Sequence, residues 1–285
     1  MVAPAHSGLA AQAPASGRGM ASAPLSCLVS GLGPDDGEDE AALALVHRLR
    51  GLGGTVAAMT PLACDGLPAP GGGLHSARVA RLAAAASFHL PAHAVCPFVL
   101  PAQRPASGPG AARVAASADG PGLRAQPVRE AFQVLATWAD AVVVAGIGGW
   151  LSPAVAEGAP ATGPLLARMA RRLHLPLLLC VRLTPGAAQR ARLAVAEQGA
   201  RPVAWLATGG PWPPPAAGPA TALHGAGELA LVSQALGVPC AGHVPLADGP
   251  PGAAPAHAAS LSAAAAAGIH LAELLPRLVR QPSAR

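Results

Sequence analysis

Residues 25–40 read LSCLVSGLGPDDGEDE. The apolar run Leu25–Val29 ends in Ser30-Gly31-Leu32-Gly33, and beyond the acidic turn Ala41–Leu52 carries leucines and Val46 at helical spacing. The order is strand, glycine loop, helix. Gly53-Gly54 closes that helix, and Thr55–Met59 reads as a second strand stopped by Pro61. Residues 65–73 read as a loop and His75–Ser87 as a helix, while 91–127, crowded with Pro, Gly and Ala, reads as an irregular insertion.

The alternation then resumes. Val128–Ala139 predicts a helix and Ala141–Val144 a buried strand that runs into Gly146-Ile147-Gly148-Gly149-Trp150. Pro164–Leu173, Ala187–Gln198 and Glu228–Leu236 follow as helices, with Pro176–Val181, Val203–Ala207 and Val238–His243 as strands between and after them. A terminal helical region spans 257–280, with Gly268 and Pro276 as its breaks. Continuous apolar strands alternating with helices imply a mainly parallel sheet covered on both faces, a three-layer α/β/α arrangement. Residues 1–24 are expected to be a disordered leader, translated from Met1 or Met20, and 25–285 a single domain.

Composition removes whole classes of chemistry. The 285 residues contain no Lys, Asn or Tyr, so all 19 basic residues are arginines. A phosphate-binding lysine, a Schiff base, a tyrosine acid or base and an Asn ligand are therefore excluded. The formal charge is +5, yet the arginines are scattered and 4 Trp and 3 Phe leave few rings to stack bases, so no nucleic-acid partner is expected. Cys27, Cys64, Cys96, Cys180 and Cys240 are far apart and odd in number, which fits reduced thiols in a cytoplasm. No apolar run reaches the roughly 18 residues of a membrane span, so no membrane partner is expected either.

In such a sheet ligands gather at the carboxyl ends of the strands, which directs attention to Gly31–Asp39. From about residue 26 to 250 the chain resembles the dethiobiotin synthetases, P-loop enzymes of biotin biosynthesis whose first loop reads G-T-D-x-x-x-G-K-T. Gly31 and Gly37 match its spacing, with Gly33 between them. Trp138–Trp150 is similar to the family's A-D-x-x-x-V-E-G-A-G-G-W, and Ser152-Pro153 follows as a similar pair does there. His174–Val181, Gly199–Ala207 and Gly237–Pro245 follow the family's later strand patterns in order.

The resemblance implies a P-loop NTPase-like fold, a homodimer, and synthesis of dethiobiotin from 7,8-diaminopelargonate, CO2 and ATP with Mg2+. It also implies where the working groups should stand. The loop lysine falls at Glu38 and the following threonine at Asp39, the lysine of K-P-V-x-S-G at Thr60, an acidic ligand near Ala77, the glutamate of V-E-G-A-G-G at Ala145, and the adenine-reading Asn at about Thr208. Gly148, Gly149, Trp150 and Ser152 occupy the substrate-loop positions. Phosphoryl transfer is mostly positioning and charge neutralisation, and loss of one such contact often costs about 10²–10³ in rate. Here several are replaced together.

Asp35, Asp36, Glu38, Asp39 and Glu40 place up to five negative charges in the loop. At roughly 4 Å and an effective dielectric of 20, each like-charge contact with a triphosphate would be unfavourable by about 4 kcal/mol before screening. The carboxylates are read as caps on the free amides of the helix start, standing in for the missing phosphate. A cation site and a rearranged nucleotide site are the other readings of the same residues.

Elsewhere, His89, His93 and Cys96 have a zinc-like spacing, but Pro91 prevents a regular helical pair and no fourth ligand follows, so no metal is assigned. Ser76 beside His75 lacks a nucleophile elbow. Gly146, Gly148 and Gly149 read as a turn rather than as a ligand cradle, and Trp138 and Trp150 as packing or subunit-contact residues.

The function expected is that of a dethiobiotin-synthetase-like protein with impaired or lost catalysis and no cofactor. It would act by binding an active paralogue or another biotin-pathway protein. The alternative is a working ATP-dependent synthase using ATP and Mg2+, with arginines such as Arg78, Arg182 or Arg190 supplying the charge.

Overall fold

The computed structural model describes residues 24–33, 36–102, 125–151, 162–197, 199–209, 219–246 and 267–279. Six strands form one parallel sheet in the order β2-β6-β1-β7-β8-β9: β1 is Leu25–Gly31, β2 Val56–Met59, β6 Ala141–Gly149, β7 Leu177–Arg182, β8 Pro202–Gly209 and β9 Cys240–Pro245. Leu28, Val29, Val142, Val144, Leu178, Leu179 and Leu206 are fully buried within it. Burial along whole strands, rather than at alternate residues, is what a parallel sheet packed against helices requires.

Helices connect the strands. α1 (Glu38–Arg50) follows β1 and packs on β1, β2 and β6 through residues including Ala41, Leu45 and Val46. α4 (Ala125–Trp138) precedes β6, α5 (Thr162–Leu173) follows it, α6 (Ala187–Ala196) lies between β7 and β8, and α7 (Pro219–Leu236) between β8 and β9. α7 starts nine residues before the expected Glu228, at Pro219, a residue preorganised for the first helical position. The last helix, α8 (Leu271–Val279), keeps Pro276 inside rather than ending there, and buries Leu271, Leu274 and Leu278. Before it, 267–268 form a turn and Ile269 bridges Gly242 of β9, so 267–270 are not helical.

Two stretches depart from the sequence reading. Residues 65–73 are not all loop, because β3 (Leu62–Pro68) runs through their first part and turns back at 69–73 into the short β4 (Leu74–His75). The start of 91–127 is regular as well: α3 (Ala92–Val95) leads into β5 (Phe98–Pro101), which pairs parallel with β3, and α4 already begins at Ala125. Together β4-β3-β5 make a second, three-stranded sheet. α2 (Ala77–Ala85) follows β4, close to the expected helix. Residues 1–23 of the expected leader 1–24, and residues 103–124, lie outside the described residues.

The topology fixes where a ligand would sit. From β1 the chain goes outward to β2, returns to β6 beside β1, then crosses to β7, β8 and β9 on the other side. The order reverses between β1 and β7. Crevices beyond the carboxyl ends of strands at such a reversal are where open parallel sheets bind ligands.

Candidate functional site

The loop after β1 lies at this reversal and is gripped from both sides. From the segment after β6, Trp150 N–H donates to Gly31 O at 2.8 Å and Leu151 N–H to Leu32 O at 2.6 Å. A Cβ on Gly149 would overlap the backbone of Gly33, so glycine there permits close backbone approach, to the first loop itself. The turn reading of Gly146, Gly148 and Gly149 is corrected, because β6 runs on through Gly149 and the chain turns only at Trp150, a buried packing residue. At the loop's other end Gly37 is left-handed, with φ 77°, and a Cβ would meet the Leu246 side chain at 2.5 Å.

The acidic residues are individually accommodated. Asp36, buried, accepts the Gly33 N–H on Oδ2 at 2.7 Å and faces Arg190 Nη1 at 3.3 Å from Oδ1. Arg190 comes from α6 and is held in turn by the Arg182 carbonyl and Thr184 Oγ1, at 3.2 and 3.1 Å. The Thr208 hydroxyl, at the end of β8, donates to Asp36 O at 2.8 Å. Asp39 lies 2.7 Å from Arg78 Nη2 and accepts from Arg78 Nε at 2.8 Å. Glu40 pairs with Arg81 Nη2 at 3.1 Å.

Glu38 differs from its neighbours. It is 6% exposed, its Oε2 has no hydrogen-bond partner, and that atom lies 2.9 Å from where a Gly31 Cβ would be. Burial first, then Asp39, push its carboxyl up to about 8, against partial relief from Arg78 and from its own backbone N–H. At neutral pH the group is a neutral acid inside the loop.

These contacts revise the electrostatic expectation. Asp36, Asp39 and Glu40 each face an arginine, and Glu38 is uncharged, so these residues are compensated rather than a bare field of negative charge. The capping expectation is also corrected in detail, because the N-cap of α1 is Gly37 and no side chain caps it. Asp36 serves a loop amide instead. Asp35 lies outside the described residues.

Arg78 joins four elements. Besides Asp39 of α1, it donates from Nη1 to Leu62 O of β3 at 3.2 Å and from Nη2 to Gly146 O of β6. Its own helix start is secured by Asp65, which accepts Arg78 N–H at 3.1 Å and the Ser76 hydroxyl at 2.5 Å, while Ser76 Oγ accepts Val79 N–H as the N-cap of α2. Asp65 was not singled out in the sequence. An Asp eleven residues before a Ser-x-x-Val helix start carries no local signal, since the two meet only through the β3–β4 turn.

The remaining family positions fall as follows. Gly31, Gly33, Gly37, Glu38, Asp39 and Thr208 converge on the loop, and Gly148, Gly149 and Trp150 lie on the segment that grips it. Thr60 is buried at the end of β2 and donates to Leu62 O at 3.1 Å, the carbonyl that Arg78 also uses. Ala145 is buried in β6, paired with Val29. Ala77 opens α2. Ser152 lies outside the described residues.

Among the described residues no group of three His, Cys, Asp or Glu is placed to hold a metal ion. Cys96 donates to Phe98 O at 3.1 Å, and burial pushes its thiol up to about 11 and that of Cys27 up to about 12. Both behave as small core hydrophobes. No described helix is long and apolar enough to cross a membrane.

A strand, glycine loop and helix at the reversal of an open parallel sheet define the class of α/β nucleotide-loop folds. Within it, the chain belongs to the dethiobiotin synthetase family. It is 34% identical over 188 residues to the ATP-dependent dethiobiotin synthetase of Xanthomonas oryzae pv. oryzae, covering 65% of this chain and 78% of that one. The corresponding proteins of Xanthomonas euvesicatoria pv. vesicatoria (31% over 242 residues, 82% and 96% covered) and Xylella fastidiosa (32% over 232 residues, 80% and 92%) agree. No family model matches. Similar solved structures include a signal recognition particle 54 kDa protein from Aeropyrum pernix, at TM-score 0.44 and 17% identity over 90% of this chain and 49% of that one. A ParA family ATPase from Chlorobium tepidum matches at TM-score 0.39 and 11% identity, over 89% and 94%.

Proposed function

We propose that this member of the dethiobiotin synthetase family no longer carries out ATP-dependent ring closure and acts by binding. One observation carries the reading: Glu38, at the family's loop-lysine position, is buried inside the loop, while Asp36 and Asp39 on either side of it are tied to Arg190 and Arg78. A triphosphate entering this loop would meet a buried acid where it needs a cation. It would also compete with carboxylates for arginines already engaged. The absence of lysine from the whole chain removes a second source of that cation.

On this reading the protein is a cytoplasmic homodimer. Its partner is an active paralogue or another protein of biotin biosynthesis, and it needs neither ATP nor Mg2+. Its five thiols are free, as a reducing compartment requires. The test is complementation of a bacterial strain lacking dethiobiotin synthetase. No growth without biotin is expected from this chain, against full growth from a lysine-bearing relative, and growth would overturn the reading.

A second reading has one observation in its favour. Arg78 and Arg190 both reach the loop, so an active synthase would draw its positive charge from them once Asp39 and Asp36 were displaced. Under it, ATP and Mg2+ are required and dethiobiotin is the product.

A further inference from the structure

We propose that the guanidinium of Arg78 is a resident cation, filling the oxygen set that a dissociable Mg2+ ion would need between α1, β3 and β6. The inference deepens the reading above, on which Mg2+ is dispensable, and rests on it.

The oxygen set is drawn from three elements. Asp39 Oδ1 of α1 lies 2.8 Å from Arg78 Nε and 2.7 Å from Nη2, Leu62 O of β3 accepts from Nη1 at 3.2 Å, and Gly146 O of β6 accepts from Nη2. A carboxylate and two backbone carbonyls are the hard oxygens that Mg2+ selects. Here all three face one fixed charge, 17% exposed and carried on a covalent stem.

The Mg2+ that the family resemblance implies does not fit beside that charge. The threonine and the acidic ligand expected for it fall at Asp39 and near Ala77, and Ala77 brings only a methyl group to the start of α2. The neighbouring acid, Asp65, is engaged by the Ser76 hydroxyl and the Arg78 N–H. Leu62 O also accepts the Thr60 hydroxyl at 3.1 Å, so both of its lone pairs are taken. Among the described residues no three His, Cys, Asp or Glu are placed around a common ion. A divalent ion would be left with Asp39 as its one carboxylate, and would share it with a guanidinium of the same sign.

Covalent attachment changes how the charge behaves. A metal ion leaves when a chelator lowers its concentration, whereas an arginine stays charged and in place. The junction of the three elements is thereby held without an exchangeable ion.

Mn2+ is the probe that tests this, because it takes the oxygen ligands of Mg2+ and broadens the magnetic resonance signals of nuclei near it. In the full, unmodified chain the amide signals of Asp39, Leu62 and Gly146 are expected to broaden no more than that of the exposed Arg171 as Mn2+ is raised to millimolar concentration. Arg78→Ala is expected to bind Mn2+ about tenfold more tightly or better, with broadening at those three amides, competition by Mg2+ and loss of the gain when Asp39→Asn is added. Arg78→Gln, which keeps an amide donor on a shorter stem, is run beside it in case Arg78→Ala does not fold, and the unmodified chain is informative without either variant. Selective broadening of the three amides in the unmodified chain, or none in a folded Arg78 variant, would overturn the inference. Growth in the complementation test with an unbroadened site would sink the loss of catalysis alone, and selective broadening without growth would sink the resident cation alone.

Discussion

Arg78 Nε and Asp39 Oδ1 are 2.8 Å apart across the junction of α2 and α1, and the same guanidinium reaches the Gly146 carbonyl at the sheet. The side chain is 17% exposed, so its charge is largely removed from water. Arg78→Met takes this donor from Asp39 and from the Gly146 carbonyl, while Leu62 O keeps the Thr60 hydroxyl. Breaking a buried pair from one side typically costs about 3–5 kcal/mol. A loss of stability near the low end is expected by urea denaturation, since Asp39 is a quarter exposed. In a double-mutant cycle with Asp39→Ala, additive losses would contradict the coupling.

Glu38 makes stability depend on pH in a defined direction. Its folded value of about 8 exceeds the ordinary 4.5, so its neutral form contributes fully below 4.5, and stability declines as pH rises through about 8, where the folded group is half ionised, and levels off above it. Glu38→Gln removes this decline. At pH 7 the variant is expected to be more stable than the unmodified chain by roughly 3 kcal/mol, with the difference vanishing toward pH 4.5, as read by denaturant titration at several pH values. A difference independent of pH would contradict the assignment.

Gly149→Ala tests the grip on the loop. The added Cβ overlaps the Gly33 backbone, which is not the flexible end of a side chain and must shift as a unit. A destabilisation of about 1–3 kcal/mol is expected, within the range for overpacking, with amide shifts concentrated at residues 31–33 in nuclear magnetic resonance spectra. Shifts confined to 148–151 would show that the two segments are not in contact.

Ser76→Ala removes the N-cap of α2 and one partner of Asp65. A loss of about 1 kcal/mol in stability is expected, typical of a serine cap. Thermal melts of Ser76→Ala and Asp65→Asn should shift in the same direction, because both loosen the helix that carries Arg78.

The main sheet was legible because its central strands carry mostly apolar runs and glycines follow the two that flank the loop: Leu25–Val29 and Ala141–Val144 could be read directly. The small sheet was not. β3 carries exposed Cys64, half-exposed Asp65 and Pro68, and so shows neither a continuous apolar run nor clean alternation. The loop glycines and the placement of Thr208 followed from spacing and resemblance. The pairings that compensate the loop did not, since Arg190 and Asp36 are 154 residues apart and Arg78 and Asp39 are 39 apart. A long-range ion pair leaves no local period in a sequence. Counting acidic residues therefore suggested a repulsive loop, where the fold makes a compensated one.

The central claim is that this loop does not receive a nucleotide, and calorimetric titration with Mg-ATP and a non-hydrolysable analogue tests it most directly, with a lysine-bearing dethiobiotin synthetase as control. No heat of binding is expected at millimolar nucleotide. Micromolar binding, lost on Arg78→Met or Arg190→Ala, would contradict the account and assign the phosphates to the arginines.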